Sequence, residues 1–232
     1  MSVFPDAQYS PINGLRYAPE WAGTNLFLSS APVADRVDTL YPEELPAIES
    51  AASLRRCTFS SGRSCARAAL AEAGLAPGPL PRAEDGAVVW PPGVIGSISH
   101  TSDWAVAAVA VDAMSEAVSL GVDLECIQPI ESGVLAMVAT RAEIAELAEA
   151  GDRPWHSTAL FSLKESIYKC LRPSHGQFIQ FHEVEIGDIA CGRPQLRLLS
   201  DELNASYPAA AVQLRLAVTP AHVFTLAWLR DL

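Results

Sequence analysis

The longest unbroken apolar stretch, Trp104 to Val111 (WAVAAVAV), constrains the fold of this chain more than any other feature. It is far too short to cross a bilayer, which takes about 20 apolar residues as a helix. With Val94–His100 before it and an HTSD turn between, it reads as the second of two strands. Ala117–Glu125 (AVSLGVDLE) reads as a third. Upstream, about 47–74 is helical in pattern and stops at Gly74, ahead of Pro77 and Pro79. Gly62 and the serines beside it are expected to break that segment into two helices. Residues 130–150 and about 155–171 read as helices, and 181–186, 196–199, 212–218 and 223–229 as a run of strands. Residues 1–46 read as extended segments with turns, and 76–93 as a Pro/Gly loop.

Both halves thus run helix first and strands later, with a thin join at Ala113–Glu116. The expectation is an α+β protein of two similar α/β lobes in a pseudo-twofold arrangement, dividing into 1–115 and 116–232. A single mixed domain is the alternative.

Composition narrows the function classes. Half the residues are hydrophobic and 19% charged, which suits a folded core rather than a disordered chain. The net charge of −11 argues against a broad nucleic-acid surface. The five cysteines are scattered with no CxxC, which favours reduced thiols over a disulfide framework or a zinc site. The first residues, MSVFPDAQYS, lack the basic start and apolar core of a secretory signal. A cytoplasmic protein without membrane or nucleic-acid partners is expected.

Four segments carry chemistry. In Gly121-Val122-Asp123-Leu124-Glu125, residues two apart on a strand point the same way, so Asp123 and Glu125 present paired carboxylates. Such a pair favours an oxygen-loving cation, although a solvated edge-strand face gives the same pattern. In Phe161-Ser162-Leu163-Lys164-Glu165-Ser166-Ile167-Tyr168-Lys169, an apolar stripe at Leu160, Leu163, Ile167 and Leu171 leaves Glu165 and Lys169 on another face. The chain has 14 arginines and only two lysines, Lys164 and Lys169. An acid flanked by two compact ammonium groups suits a metal-bound polyphosphate better than a routine surface ion pair.

The third segment is Gly96-Ser97-Ile98-Ser99-His100. Adjacent strand residues face opposite ways, so Ser99 cannot use His100 as a hydrolase base; His100 is structural or a donor to phosphate. The fourth is Arg55–Arg67, four arginines without an acid. It is a candidate anion receptor or a salt-bridged helix face.

Together these segments resemble the 4′-phosphopantetheinyl transferases of the larger, monomeric two-lobed type that activates nonribosomal peptide and polyketide synthases. GVDLE is similar to the family's G-[VI]-D-x-E metal strand, and FSLKESIYK to its [WF]-S-x-K-E-[AS]-x-x-K helix. SISH is similar to its S-H strand end, and LRRCTF with SSGR to its upstream basic motif. The fit in order and spacing covers roughly 54–185.

The resemblance implies two similar α/β halves with the cofactor site at their junction. It implies Mg²⁺-dependent transfer of the 4′-phosphopantetheine arm of coenzyme A to a serine of an acyl or peptidyl carrier protein, releasing 3′,5′-ADP. Asp123, Glu125 and Glu165 would hold Mg²⁺. His100, Arg55, Arg56 and Arg63 would contact the phosphoadenosine end. Lys164 and Lys169 would lie along the pyrophosphate with Ser99 alongside, and Glu165 would deprotonate the serine. One departure is clear: many family members carry a G-K-P segment before the S-H strand, where this chain reads Gly86-Ala87-Val88. Arg82 is the candidate replacement for that lysine. A catalytically silent coenzyme A-binding or carrier-docking protein, and a metal-dependent phosphohydrolase, are the alternatives.

Overall fold

The structure is a computed structural model that describes residues 26–111, 117–151, 153–175 and 179–230. The expected division at 115/116, with its join at Ala113–Glu116, lies outside the described residues. On either side of it the chain builds the same unit twice.

In the first half, β1 (Leu26–Pro32), α1 (Ser53–Glu72), β2 (Val94–His100) and β3 (Trp104–Val111) form an antiparallel sheet of order β1-β3-β2 with one long helix. The second half holds β4 (Ala117–Cys126), α2 (Ser132–Val138), α3 (Arg141–Glu149), α4 (Pro154–His175), β5 (Val184–Gly187), β6 (Gln195–Leu198), α5 (Asp201–Ser206), β7 (Val212–Val218) and β8 (His222–Arg230). Its main sheet has the order β4-β8-β7. With β4 matched to β1, α4 to α1 and β7–β8 to β2–β3, the two halves share one topology. The helix-first reading is therefore corrected, because a strand opens each half.

The apolar run of β3 is explained by its neighbours. Ala105, Ala107 and Val109 face α1, alongside Cys65, Ala66, Ala69 and Leu70. Trp104, Val106, Ala108 and Ala110 face the second sheet, where they meet Leu120, Val122, Leu124, Phe224, Leu226 and Trp228. The strand is covered on both sides, so neither set of alternating positions can be polar. On the far side of the second sheet, α4 lays Leu160, Leu163, Ile167 and Leu171 against Val223, Ala227 and Leu229. The result is a helix–sheet–sheet–helix stack.

Glycine decides two of the close approaches. Contrary to expectation, α1 runs unbroken through Gly62, where a Cβ would lie 2.8 Å from the Ile98 side chain. The residue is there to let the helix sit down on β2, and the buried packing outweighs its low helix propensity. At Gly121 a Cβ would meet the backbone of α4 itself, 2.1 Å from the Ser166 carbonyl oxygen and 2.5 Å from the Cys170 nitrogen. That contact brings β4 against the helix that carries the FSLKESIYK segment.

Where the two sheets meet, β2 and β4 are both edge strands. The unpaired edge donors of β4 are taken by serines of β2: Ser97 Oγ accepts from Val122 N at 3.0 Å and Ser99 Oγ from Leu124 N at 3.3 Å. The expected 130–150 helix is two helices, because Thr140 caps α3 through a reciprocal box with Glu143. The tail holds α5, capped by Ser200, among the expected strands. No helix of the described residues is long and apolar enough to cross a membrane.

Because the Gly121 contact is with backbone, no side-chain rotation can relieve it. Gly121→Ala is expected to cost at least the ~1–3 kcal/mol typical of overpacking. Gly62→Ala, whose neighbour is a movable Ile98 side chain, should cost less, and urea unfolding of the two variants checks the order.

Candidate active site

Because β4 lies so close to α4, Asp123 and Glu125 on the strand face Glu165 and Lys169 on the helix. Asp123 is 3% exposed. Its Oδ1 accepts from Lys169 Nζ at 2.7 Å and from Ser99 Oγ at 2.9 Å. Lys169 Nζ also donates to the Val122 carbonyl at 3.2 Å and to Ser99 Oγ at 3.3 Å. The other carboxylate oxygen of Asp123 is buried and has no partner. An acceptor in that state costs about 1–3 kcal/mol, and more when charged.

The neighbouring acids feel each other. Burial pushes the Glu125 carboxyl up to about 7, with the charges of Asp123 and Glu165 pushing the same way and Lys169 opposing. Burial also raises Glu165, with Asp123 adding to the rise and Lys169 opposing it. The three acids do not form a compact cage. Among the described residues, the three ligand groups lying within 4.8 Å of one another are Asp103, Cys126 and His222. Asp123, Glu125 and Glu165 stand further apart, as like charges do, and Lys169 supplies the compensating charge. An orphaned carboxylate oxygen beside two acids with raised proton affinity is a donor set suited to a hard divalent cation.

A cleft of about 640 Å³ opens beside Lys169, lined by Gly96, Ile98, Glu165, Tyr168, Lys169 and Arg172. Its far wall is the loop at 83–90, which Arg172 Nη2 reaches through a 2.9 Å hydrogen bond to the Asp85 carbonyl.

The basic segment divides. Arg55 is exposed, and its Nη1 lies 3.0 Å from His100 Nε2. Burial and the charge of Arg55 hold His100 below the usual imidazole range. A guanidinium can only donate, so Nε2 accepts from Arg55, in keeping with the structural reading of His100 rather than a direct donor from that nitrogen to phosphate. Arg56 is half-buried on the same helix. Arg63 is buried, donates from Nε to the Leu80 carbonyl at 2.7 Å and stacks on Phe59 at 4.3 Å. Burial lowers Arg63 to about 10, with Arg55, Arg67 and Arg82 adding to the drop and Glu44 opposing it. Arg67 is taken up by the fully buried Glu44, at 2.9 and 3.1 Å. Arg63 and Arg67 thus anchor the loops at 39–44 and 80, and Arg55 and Arg82 are the exposed cations of the cluster.

Residues 43–110 match the family model for the 4′-phosphopantetheinyl transferase N-terminal domain, and 119–226 that for the 4′-phosphopantetheinyl transferase superfamily. A 4′-phosphopantetheinyl transferase of Streptomyces mobaraensis, Svp, is 42% identical over 78% of this chain and 74% of its own length. The chain belongs to the 4′-phosphopantetheinyl transferase family. Two further relatives are the transferases Npt of Nocardia iowensis, 36% identical over 63% of this chain and 68% of its own, and PptT of Mycobacterium tuberculosis, 33% identical over 64% and 65%.

In this transferase one expected site residue is elsewhere. The Lys164 ammonium is 1% exposed, paired with Glu143 at 2.8 Å, and donates to the carbonyls of Val138, Phe181 and Val184 at 2.8–2.9 Å. It points toward the β5 hairpin and has no donor left for a phosphate. On a helix, five residues turn through about 140° from one another, so Lys164 and Lys169 cannot share a face. Sequence reasoning also passed over Tyr168 and Arg172, which extend the Glu165/Lys169 face at i+3 and i+7. Of the structural acids, Glu143 is marked only as the fourth residue of a T-x-x-E capping box, and Glu44 by nothing local.

Two outcomes follow for the transferase. Lys164→Met strands a buried Glu143 and should cost about 3–5 kcal/mol, with part of the loss recovered on adding Glu143→Gln. A Lys164→Met protein as stable as wild type but inactive would return this lysine to the phosphate. The second concerns Glu125. Its folded-state proton affinity is raised, so between the ordinary carboxylate range near pH ~4.5 and pH ~7 the folded protein holds a proton that the unfolded chain releases. Stability from this group is present at low pH and is lost as pH rises through about 7. In metal-free buffer Glu125→Gln should therefore melt above wild type at pH 8, and the gap should close toward pH 4.5. Differential scanning calorimetry across that range reads it.

Proposed function

We propose that this transferase moves the 4′-phosphopantetheine arm of coenzyme A onto a serine of an apo acyl or peptidyl carrier protein, releasing 3′,5′-ADP, with Mg²⁺ at Asp123, Glu125 and Glu165. The observation that carries the metal assignment is the buried, partnerless oxygen of Asp123 between two acids whose carboxyls are raised. A bound Mg²⁺ there would screen the charge of the pyrophosphate and of the departing nucleotide.

The chain's own residues supply the rest. Lys169, with its side chain 28% exposed at the edge of the cleft, gives its donors to Asp123, Val122 and Ser99 and would offset phosphate charge through space, or by exchanging one of these bonds. Glu165 has the raised proton affinity that suits a base for the serine hydroxyl at neutral pH. Ser99 holds Asp123 in place from the other sheet, so it acts as a positioning residue rather than a pyrophosphate contact. Arg55, with His100 behind it, is the receptor for the 3′-phosphate. Arg56, the buried Arg63 and Arg82 add to the positive field there, with Arg82 standing in for the lysine of the missing G-K-P segment. Most of the rate would come from positioning and charge neutralisation, since the transferring phosphorus asks for little covalent help.

Incubation with coenzyme A, Mg²⁺ and an apo carrier protein should add the mass of the arm to the carrier, and excess EDTA should stop it. Glu165→Gln should lower kcat by about 10²-fold or more. Full transfer in EDTA would remove the metal assignment, and a change under about threefold would leave Glu165 as a surface acid. Consumption of coenzyme A without any carrier protein would favour a phosphohydrolase instead.

A further inference from the structure

At the same end of β4 as the carboxylate cluster but on the opposite face of the strand, three different ligand types meet. Cys126 and His222 are directly paired across β4 and β8, so their side chains leave the sheet on the same side. Asp103, in the turn between β2 and β3, reaches across from the first half to both. His222 Nε2 lies 3.1 and 3.3 Å from the two Asp103 oxygens, and Cys126 Sγ donates to Asp103 Oδ1 at 3.7 Å. All three ligand atoms fall within 4.8 Å of one another.

We propose that Asp103, Cys126 and His222 form a transition-metal site for Zn²⁺ or a cation of similar softness, which staples the two halves of the fold together. The spacing carries the assignment. Around a tetrahedral zinc with bonds of about 2.0–2.3 Å, donor atoms stand about 3.3–3.6 Å apart. Asp103 stands 3.1–3.3 Å from His222 Nε2 and 3.7 Å from Cys126 Sγ, close to that range, and all three donors lie within 4.8 Å of one another, so a cation would enter with side-chain shifts alone. The donors discriminate as well. One imidazole, one thiolate and one carboxylate suit Zn²⁺ or Co²⁺ and are a poor set for Mg²⁺, which asks for oxygen.

The ligands are also held in place. Thr101 Oγ1 hydrogen-bonds Asp103 Oδ1 and accepts from Asp103 N and Trp104 N at 3.3 and 3.1 Å, which fixes the turn. Thr219 Oγ1 accepts from His222 N at 2.9 Å, fixing the other approach. The Asp103 side chain is 38% exposed while that of His222 is 5% exposed, so there is a way in and a position for water as fourth ligand. The thiol proton leaves to solvent on binding, and no redox step is involved.

Co²⁺ is the probe, added to the whole protein in a large excess of Mg²⁺ that occupies the all-oxygen cluster. The expected result is the visible absorption of tetrahedral cobalt together with a thiolate-to-cobalt charge-transfer band in the near ultraviolet, both bleached by Zn²⁺. Cys126→Ser should abolish the charge-transfer band. Asp103→Asn should weaken Co²⁺ binding by at least the 10- to 100-fold that even an outer-sphere partner is worth. On the unmutated protein, Zn²⁺ should protect Cys126 from alkylation while the exposed Cys191 continues to react, read by peptide mass mapping. No charge-transfer band at saturating Co²⁺, a band that survives Cys126→Ser, or equal alkylation of Cys126 with and without Zn²⁺ would each overturn the site and leave a hydrogen-bonded triad.

Discussion

The Asp123 carboxylate is shared by three elements. It sits on β4, takes the Lys169 ammonium from α4 and the Ser99 hydroxyl from β2, and is nearly sealed from water. A buried charge needs both a counter-ion and hydrogen bonds to be tolerable. Meeting that need fixes the helix to the strand and one sheet edge to the other. The arrangement satisfies only one of the two oxygens, which leaves the centre of the fold with an acceptor to spare. The proposed reactive region and the structural keystone are therefore the same group of atoms. On that proposal, a chain of two similar halves would have its chemistry at their junction rather than within either one.

Gly121 is the steric counterpart of this electrostatic knot. Its hydrogen atom stands where any side chain would strike the α4 backbone. The strand can come close enough for Lys169 to reach Asp123 because that position is bare. The G in the GVDLE segment and its acids are thus one device: the first sets the distance and the others use it.

Elsewhere the charges divide by burial. Glu44 and Glu143 are sealed and fully bonded, one to Arg67 and the Leu80 amide, the other to Lys164 and the Ile186 amide. Glu44 pins the loop at Leu80 to α1 in the first half, and Glu143 ties α3 and β5 to α4 in the second. A protein of net charge −11 spends two of its acids this way and still leaves Arg55 and Arg82 as exposed cations. The total charge says little about a local anion site, since the field of a cluster decays within about 8–10 Å in physiological salt.

The strands on either side of the HTSD turn, the acidic strand, the helix carrying Glu165 and Lys169, and the family were all legible in the residues. Those signals are local: strand and helix periods put named residues on one face regardless of what packs there. The sequence also proposed the two-fold repetition, though not the strand that opens each half. What each charge meets is set by packing. Lys164 and Lys169 look alike in the chain, and what separates them is that one is sealed against three carbonyls and Glu143 while the other, paired with Asp123, stays partly exposed at a cleft. Gly62 reads as a helix breaker until Ile98 is seen against it, since the gain from close packing comes from a residue 36 positions away. The Asp103–Cys126–His222 cluster is the extreme case. Its members are spread over 120 residues, and scattered cysteines had argued against any zinc site. No sequence period links them, because they are brought together by the register of β4 on β8 and the packing of one sheet's turn on the other's edge.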